Sequence, residues 1–265
     1  MRDLGYLDPK IPLPRSNSLA AKQMRIAALL AILSRSITQH IFQPTYLLED
    51  KVDRDEIQTL LVHLAISNSK QESFCRALLL SIFPEDQAKN ATKAVERVVR
   101  EIAWCIRDLV LDAEFEKFRS DVEVVVKKAL EAWQMVQNTR EKFEPYYELN
   151  HYVDFEWQTL SFKNSVTGAG QENTANALKD DDALLMIFPR IYVIADSDPD
   201  PVTPGVVLKK SQTWSAVQEM ERNSPSSPIA GRAGQRSKEI RSRTMSNSTN
   251  GTKDFLSIKV PSGVH

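Results

Sequence analysis

The sequence predicts a mainly α protein: a helical bundle of four to five helices, one of them long, with a candidate short β-hairpin near 184–208 and a disordered C-terminal tail. Three observations carry this prediction. No glycine occurs between Gly5 and Gly168. From Arg15 to Glu144 the only prolines are Pro44 and Pro84. Between these breakers apolar residues recur at three- and four-residue spacing, the period of an amphipathic helix.

Residues 1–17 carry Pro9, Pro12 and Pro14 and no periodic pattern. Proline lacks a backbone donor and pushes its predecessor to extended backbone, so an extended arm is expected. The first helix is expected over about 19–42, where Leu19, Met24, Ala27, Leu30, Leu33, Ile37 and Ile41 share a period. Ser16, Asn17 and Ser18 offer its N-cap. A second helix starts at Asp53, which with Glu56 has the spacing of a capping box. A third starts at Ser69, again with Glu72 three residues on, and stops at Pro84. Its run Leu78, Leu79 and Leu80 leaves little polar surface, so it is expected to be central and buried.

From Glu85 to Glu144 no helix breaker occurs. Ala88, Ala91, Val95, Val98, Ile102, Cys105 and Leu109 follow an a/d spacing. Asp112 then falls where an apolar residue was due, and Ser120 with Glu123 offers a new cap. An unbroken helix here would be ~90 Å long at 1.5 Å per residue. Two helices meeting near 113–121 are therefore expected.

The helical domain, 18–162, ends in an aromatic and acidic stretch with Tyr146, Tyr147, Tyr152 and Trp157. These rings either fill grooves of the bundle or form a partner-binding surface, since aromatics bury large areas and anchor interfaces. Residues 163–183 are small and polar and read as a linker. At 184–194 the sequence LLMIFPRIYVI reads as a strand that Pro189 confines to an edge or breaks in two. Val206–Leu208 is a candidate pairing partner, and a short helix is expected to close the 184–222 segment. From 223 onward Ser, Pro, Gly, Asn and Arg dominate, the composition of a disordered tail.

Formal net charge is -1 over 265 residues. Such a balance gives no global attraction to nucleic acid or to anionic membrane. The N-terminal residues lack the apolar core of a secretory signal, and no stretch is apolar enough to span a bilayer. An intracellular protein, cytoplasmic or nuclear, is expected, with no membrane association.

Candidate chemistry is sparse. Cys75 and Cys105 lie on helical faces as small hydrophobes. His40, His63, His151 and His265 are not spaced as metal ligands on one helix. Asp196, Asp198 and Asp200 start like a calcium loop, but prolines intervene and position twelve is Val207. Gly168-Ala169-Gly170 lacks the rest of a dinucleotide loop, and no P-loop sequence exists. Catalytic, cofactor-binding and metal-binding residues are thus all expected to be none, and no cofactor is expected. In the basic tail, Ser224 and Ser227 precede proline, while Thr244 and Ser246 follow an arginine by three residues. All four are candidate phosphorylation sites whose charge reversal would release or dock the tail.

The first expectation for function is a non-enzymatic scaffold or adaptor that binds another protein or self-associates through its long helix. Two alternatives stand beside it. One is a nuclear regulator using the basic tail on nucleic acid or chromatin, although nucleic acid is not the expected partner. The other is an enzyme with a site assembled across helices, which a pocket joining a cysteine to a histidine would favour.

Overall fold

The computed structural model describes residues 11–147, 157–162, 183–194 and 199–223. All of these belong to one structural unit, 1–224. The described chain is mainly helical, with six α-helices, one 3₁₀ turn and two three-stranded sheets.

Helix α1 (Leu19–His40) starts where the sequence offered a cap: the Ser18 hydroxyl accepts the Ala21 amide at 3.0 Å. The helix is buried along two faces. Ile32 and Ile37 join a core with residues of α4 (Pro84–Ile106) and α5 (Asp112–Gln137). Met24, Ala27 and Ala31 join a second core beneath a sheet and α6 (Lys210–Asn223), together with Ile187, Leu208 and Ala216. Alanines on the second face let neighbouring backbones approach closely. Ile11 packs into the same core, so the end of the N-terminal arm nearest α1 is anchored.

Helix α3 (Ser69–Ser81) begins at Ser69 as expected and α2 (Lys51–Ser67) two residues before Asp53, but their N-caps are Asn68 and Asp50 rather than Ser69 and Asp53. The Asp50 carboxylate accepts the Val52 amide at 2.8 Å, and the Asn68 side chain accepts the Gln71 amide at 3.1 Å. A cap needs extended backbone, which both residues have. Asp53 and Glu72 then lie in first turns, where their charge complements the helix dipole.

The expectation that α3 is central is corrected. Its buried residues are Glu72 and Arg76, whereas Phe74 is 71% exposed and Leu78 is 53% exposed. The Arg76 guanidinium bonds Glu72 at 2.8 Å through Nε. Its other nitrogens donate to the carbonyl of Gln137, the last residue of α5, and to those of Arg140 and Glu141 just beyond it. A helix C-terminus leaves carbonyls without intrahelical partners, and this arginine satisfies that of Gln137. Helix α3 is thus tied in by a charged clamp on one side, while Leu78 faces outward and Leu79 and Leu80 are half-buried.

Pro84 occupies the first turn of α4, where its missing N–H costs nothing. The expected apolar seam is buried from Ala91 through Val95 and Val98 to Ile102. The break expected between 85 and 144 is present, but earlier than residues 113–121. Helix α4 ends at Ile106, a 3₁₀ turn covers Arg107–Leu109, and α5 starts at Asp112. Asp112 and Glu114 supply first-turn acids. Ser120 and Glu123 lie inside α5, so their cap-like spacing starts no helix.

The loop after α1 is buried, and side chains answer its backbone. Trp133 Nε1 and Gln137 Nε2 both donate to the Gln43 carbonyl at 2.7 Å. The Tyr46 hydroxyl donates to the Ile41 carbonyl. A buried loop without such partners would leave polar backbone groups unsatisfied at considerable cost.

Pro189 divides the 183–194 stretch into β3 (Ala183–Phe188) and β4 (Arg190–Ile194). The two strands enter different sheets. One sheet has the order β1–β4–β5, with β1 (Lys142–Tyr146) and β5 (Asp200–Pro201) antiparallel to β4. The other has the order β2–β6–β3, with β6 (Val206–Lys209) antiparallel to β3 and parallel to β2 (Gln158–Thr159). The pairing of 206–208 with the first half of the stretch is therefore present. It is not a simple hairpin, because β4 and β5 intervene in the chain and pair elsewhere. The tail from 224 and the linker to 182 lie outside the described residues.

Candidate functional site

The most distinctive surface lies between α1 and the last two turns of α4. Helix α1 carries Lys22, Arg25 and Arg35 and no carboxylate. Its edge meets α4, the 3₁₀ turn and α5 at an open hollow of about 300 Å³. Ile26, Leu29, Ile106 and Phe118 line it, with Lys22 and Arg25 at the lip. A second hollow of about 400 Å³ continues along the same helix pair, lined by Ser36, Gln39, Arg100, Glu101 and Trp104. Ile32 and Cys105 line both, so the two form one groove. Trp104, at 68% exposure, stands on its rim.

A polar cluster is set into the wall of this groove. Glu101 bridges two residues of α1: Ser36 Oγ donates to Oε2 at 2.6 Å, and His40 Nε2 lies 3.1 Å from Oε1. These three residue types invite comparison with a hydrolase triad. The order is wrong for that chemistry, because the base must stand between the nucleophile and the carboxylate. Here the carboxylate stands between the serine and the histidine. Burial pushes the Glu101 carboxyl up, but hydrogen bonds from His40 and Ser36 outweigh it, and the group is held below the usual carboxylate range. A carboxylate of depressed pKa is a poor acceptor for a serine proton.

Cys105 gives no better nucleophile. Burial and the nearby Glu101 charge both push its thiol up, away from the reactive thiolate. Among the described residues neither cysteine hydrogen-bonds a histidine, and no three His, Cys, Asp or Glu side chains cluster as a metal site. The one described residue of the acidic triplet, Asp200, pairs in β5, while Asp196 and Asp198 lie outside the described residues. Gly168 and Gly170 also lie outside them, as do His151 and His265. His63 is exposed on α2. No helix among the described residues is long and apolar enough to cross a membrane.

The aromatic residues singled out at the end of the helical domain are engaged within the chain. Tyr146 meets Tyr192 edge-on, with ring centroids 5.9 Å apart. The Tyr147 hydroxyl donates to the Ala31 carbonyl at 3.1 Å, and burial pushes that phenol up. Trp157 lies on the guanidinium of buried Arg190, 4.1 Å from ring centroid to charge. It also covers Gly205, whose φ of 68° and lack of Cβ make room for the ring. Tyr152 lies outside the described residues, as do Ser224, Ser227, Thr244 and Ser246. Tyr146 stands opposite Arg190 in the β1–β4 pairing and so shares that residue with Trp157, whereas Tyr147 reaches α1.

Sequence periodicity missed the groove, yet two signals for it were present. Trp104 sits off the apolar seam of α4, on a turn that also carries charge. Helix α1 has cations without anions, an imbalance that isolated amphipathic helices avoid by pairing. No protein-family model, no curated protein and no solved structure matches this chain.

Proposed function

We propose that this is a non-enzymatic interaction protein of the scaffold or adaptor kind, and that a partner protein docks in the groove between α1 and α4. The carrying observation is Trp104. A large ring with an apolar body stands exposed beside an apolar floor, the arrangement in which tryptophan anchors an interface. The serine, glutamate, histidine and cysteine nearby have no arrangement that activates a nucleophile, which favours binding over catalysis. In this reading α1, α4 and α5 act as a helical bundle whose open edge is the docking face. Self-association through α4 and α5 is the competing form of the same reading. An intracellular setting, with regulation through Ser224, Ser227, Thr244 and Ser246, completes the proposal.

The test is site-specific photo-crosslinking in cells. A photoreactive residue at Ile26, inside the groove, is expected to capture partner protein, and one at Gln134, exposed on α5, is not. Trp104→Ala is expected to abolish the Ile26 product, and Trp214→Ala, at an equally exposed ring on α6, to preserve it. Equal capture at both positions, or indifference to Trp104→Ala, defeats the proposal.

A further inference from the structure

The charges around the groove say what kind of segment fits it. Lys22 and Arg25 stand at one end and Arg100 at the other, with Arg35 contributing from α1. Glu101 is the one carboxylate lining either hollow, and both of its oxygens are already taken by Ser36 and His40. Lys22 and Arg100 are exposed, and among the described residues neither makes an ion pair. Arg25 spends its donors on the Pro14 and Ser16 carbonyls, and the Glu219 carboxylate lies close enough to feel its charge, so Lys22 and Arg100 are the cations left to meet a partner. The floor between these cations is hydrocarbon: Ile26, Leu29, Ile32 and Ile106. A groove with a dry floor and basic ends favours an occupant with an apolar face and acidic flanks.

Length narrows the choice further. From Lys22 to Gln39 the groove follows α1 for ~26 Å at 1.5 Å per residue. That matches four to five turns of a second helix laid alongside, with anchors at i, i+4 and i+7. Both hollows are open along their length, so a bare acyl chain would stay half in water, whereas a helix turns its own polar face outward. Nucleic acid would find too few cations and no use for the aliphatic floor.

We infer that the groove between α1 and α4 recognises an acidic amphipathic helix of another protein, with its apolar stripe on Ile26, Ile32 and Trp104 and its carboxylates toward Lys22 and Arg100. This inference rests on the proposed interaction role and adds the chemistry of the partner. It also predicts that association is steered electrostatically and weakens with salt.

The experiment displays a library of random helix-forming peptides, about 18 residues each to match the groove, and selects on the full chain. Enriched peptides are expected to carry an apolar i, i+4, i+7 stripe and a net negative charge. Their affinity is expected to fall about tenfold between roughly 0.1 M and 1 M salt, as screening shortens from about 10 to about 3 Å. Trp104→Ala is expected to weaken them at least about tenfold, as loss of an aromatic anchor does. The charge reversal Lys22→Glu with Arg100→Glu is expected to weaken them about tenfold and to strengthen matched peptides with lysine flanks.

The outcomes separate the groove itself from the chemistry of its occupant. Enriched peptides that need Trp104 but show no acidic bias overturn the inference and leave the groove reading standing. Enriched peptides indifferent to Trp104→Ala overturn both. Tighter peptide binding by a chain with Asp180→Asn, Asp181→Asn and Asp182→Asn assigns the groove to the chain's own acidic segment and overturns a partner in trans. A dimer in light scattering that Trp104→Ala dissociates assigns the groove to a second copy and likewise overturns a different protein as partner. Binding to phosphatidylserine vesicles through Trp104, without peptide selection, replaces the helix with a membrane and overturns the inference.

Discussion

Helices α1 and α4 and helices α2 and α3 are both neighbouring amphipathic pairs, yet they are held in place by different physics. Along the first pair, Ile32, Ile37, Val95, Val98 and Ile102 form a continuous hydrocarbon core. The second pair buries little of its own apolar surface: Leu61 and Ala65 from α2, and the charged Glu72 and Arg76 from α3. The first pair is positioned by an undirected force spread over many contacts. The second is fixed by a few directional groups. The Arg76 guanidinium joins α3 to the end of α5, the Gln87 amide holds the carbonyls of Leu79, Leu80 and Ile82, and Gln58 of α2 bonds Glu144. A distributed core tolerates single changes in proportion to the hydrocarbon lost. A clamp fails when one member goes, because its partner is left charged and buried.

The largest effect should therefore come from Arg76→Ala. Removing one member of a buried, hydrogen-bonded ion pair typically costs about 3–5 kcal/mol, and here three carbonyls at and just after the end of α5 also lose their donor. Urea denaturation is expected to show this loss, and Arg76→Met with Glu72→Met to recover part of it. A cost under about 1 kcal/mol for Arg76→Ala, the scale of an ordinary surface change, would show that α3 is held by something other than the clamp.

Next comes the distributed core. Ile102, fully buried on α4, should cost about 2–4 kcal/mol as Ile102→Ala. Leu78→Ala, on the exposed face of α3, should cost at most about 0.5 kcal/mol. Equal losses at the two positions would erase the contrast between the pairs.

The hydrogen bonds to Glu101 predict a pH signature in the first pair. A carboxyl held below its unfolded value contributes stability above that value and loses it as pH falls through the lower folded value. Acid unfolding of Glu101→Gln should accordingly be flatter than wild type below about pH 4.3, the ordinary glutamate range. Tyr46 gives the opposite limb: burial raises its phenol, so its contribution holds below about pH 10, the ordinary tyrosine value, and is lost above it. Tyr46→Phe should flatten that alkaline limb, which circular dichroism across the pH range would register.

One small effect should be a gain. Phe83, between α3 and α4, takes left-handed backbone at φ 48° just before Pro84 and leaves its ring exposed. A non-glycine residue in that region costs roughly 1–2 kcal/mol. Phe83→Gly is expected to raise stability by about 0.5–1 kcal/mol, read as a shift of the urea midpoint. No shift would mean that the exposed ring has a packing role that its exposure conceals.

Much of the fold was legible in the sequence, for local reasons. The absence of glycine and the periodic apolar residues located α1 through α5. The seam from Ala91 to Ile102 was read residue by residue. Pro189, unable to donate to a ladder, marked where one apolar stretch becomes two strands. Boundaries were less legible where a second residue competed for the same role. Asp50 and Asn68 took the caps expected of Asp53 and Ser69, and Ser120 with Glu123 resembled a cap inside a helix.

The site was much less legible, because its members are brought together across the chain. Ser36 and Glu101 are 65 residues apart, and His40 and Glu101 are 61 apart. Periodicity reports which residues of one helix share a face. It does not report which face finds a partner. Leu78 and Ile102 carry equivalent signals in the sequence, yet one is in water and the other in the core. By itself, the sequence determined that these segments are helices and where most of them start and stop, because capping and breaker rules act within a few residues. Only the tertiary structure decided that α3 is clamped by Arg76 with Leu78 outward, and that α1 and α4 leave an apolar groove with basic ends between them. Both depend on surfaces meeting at long range, and such meetings follow from the packing of the whole chain.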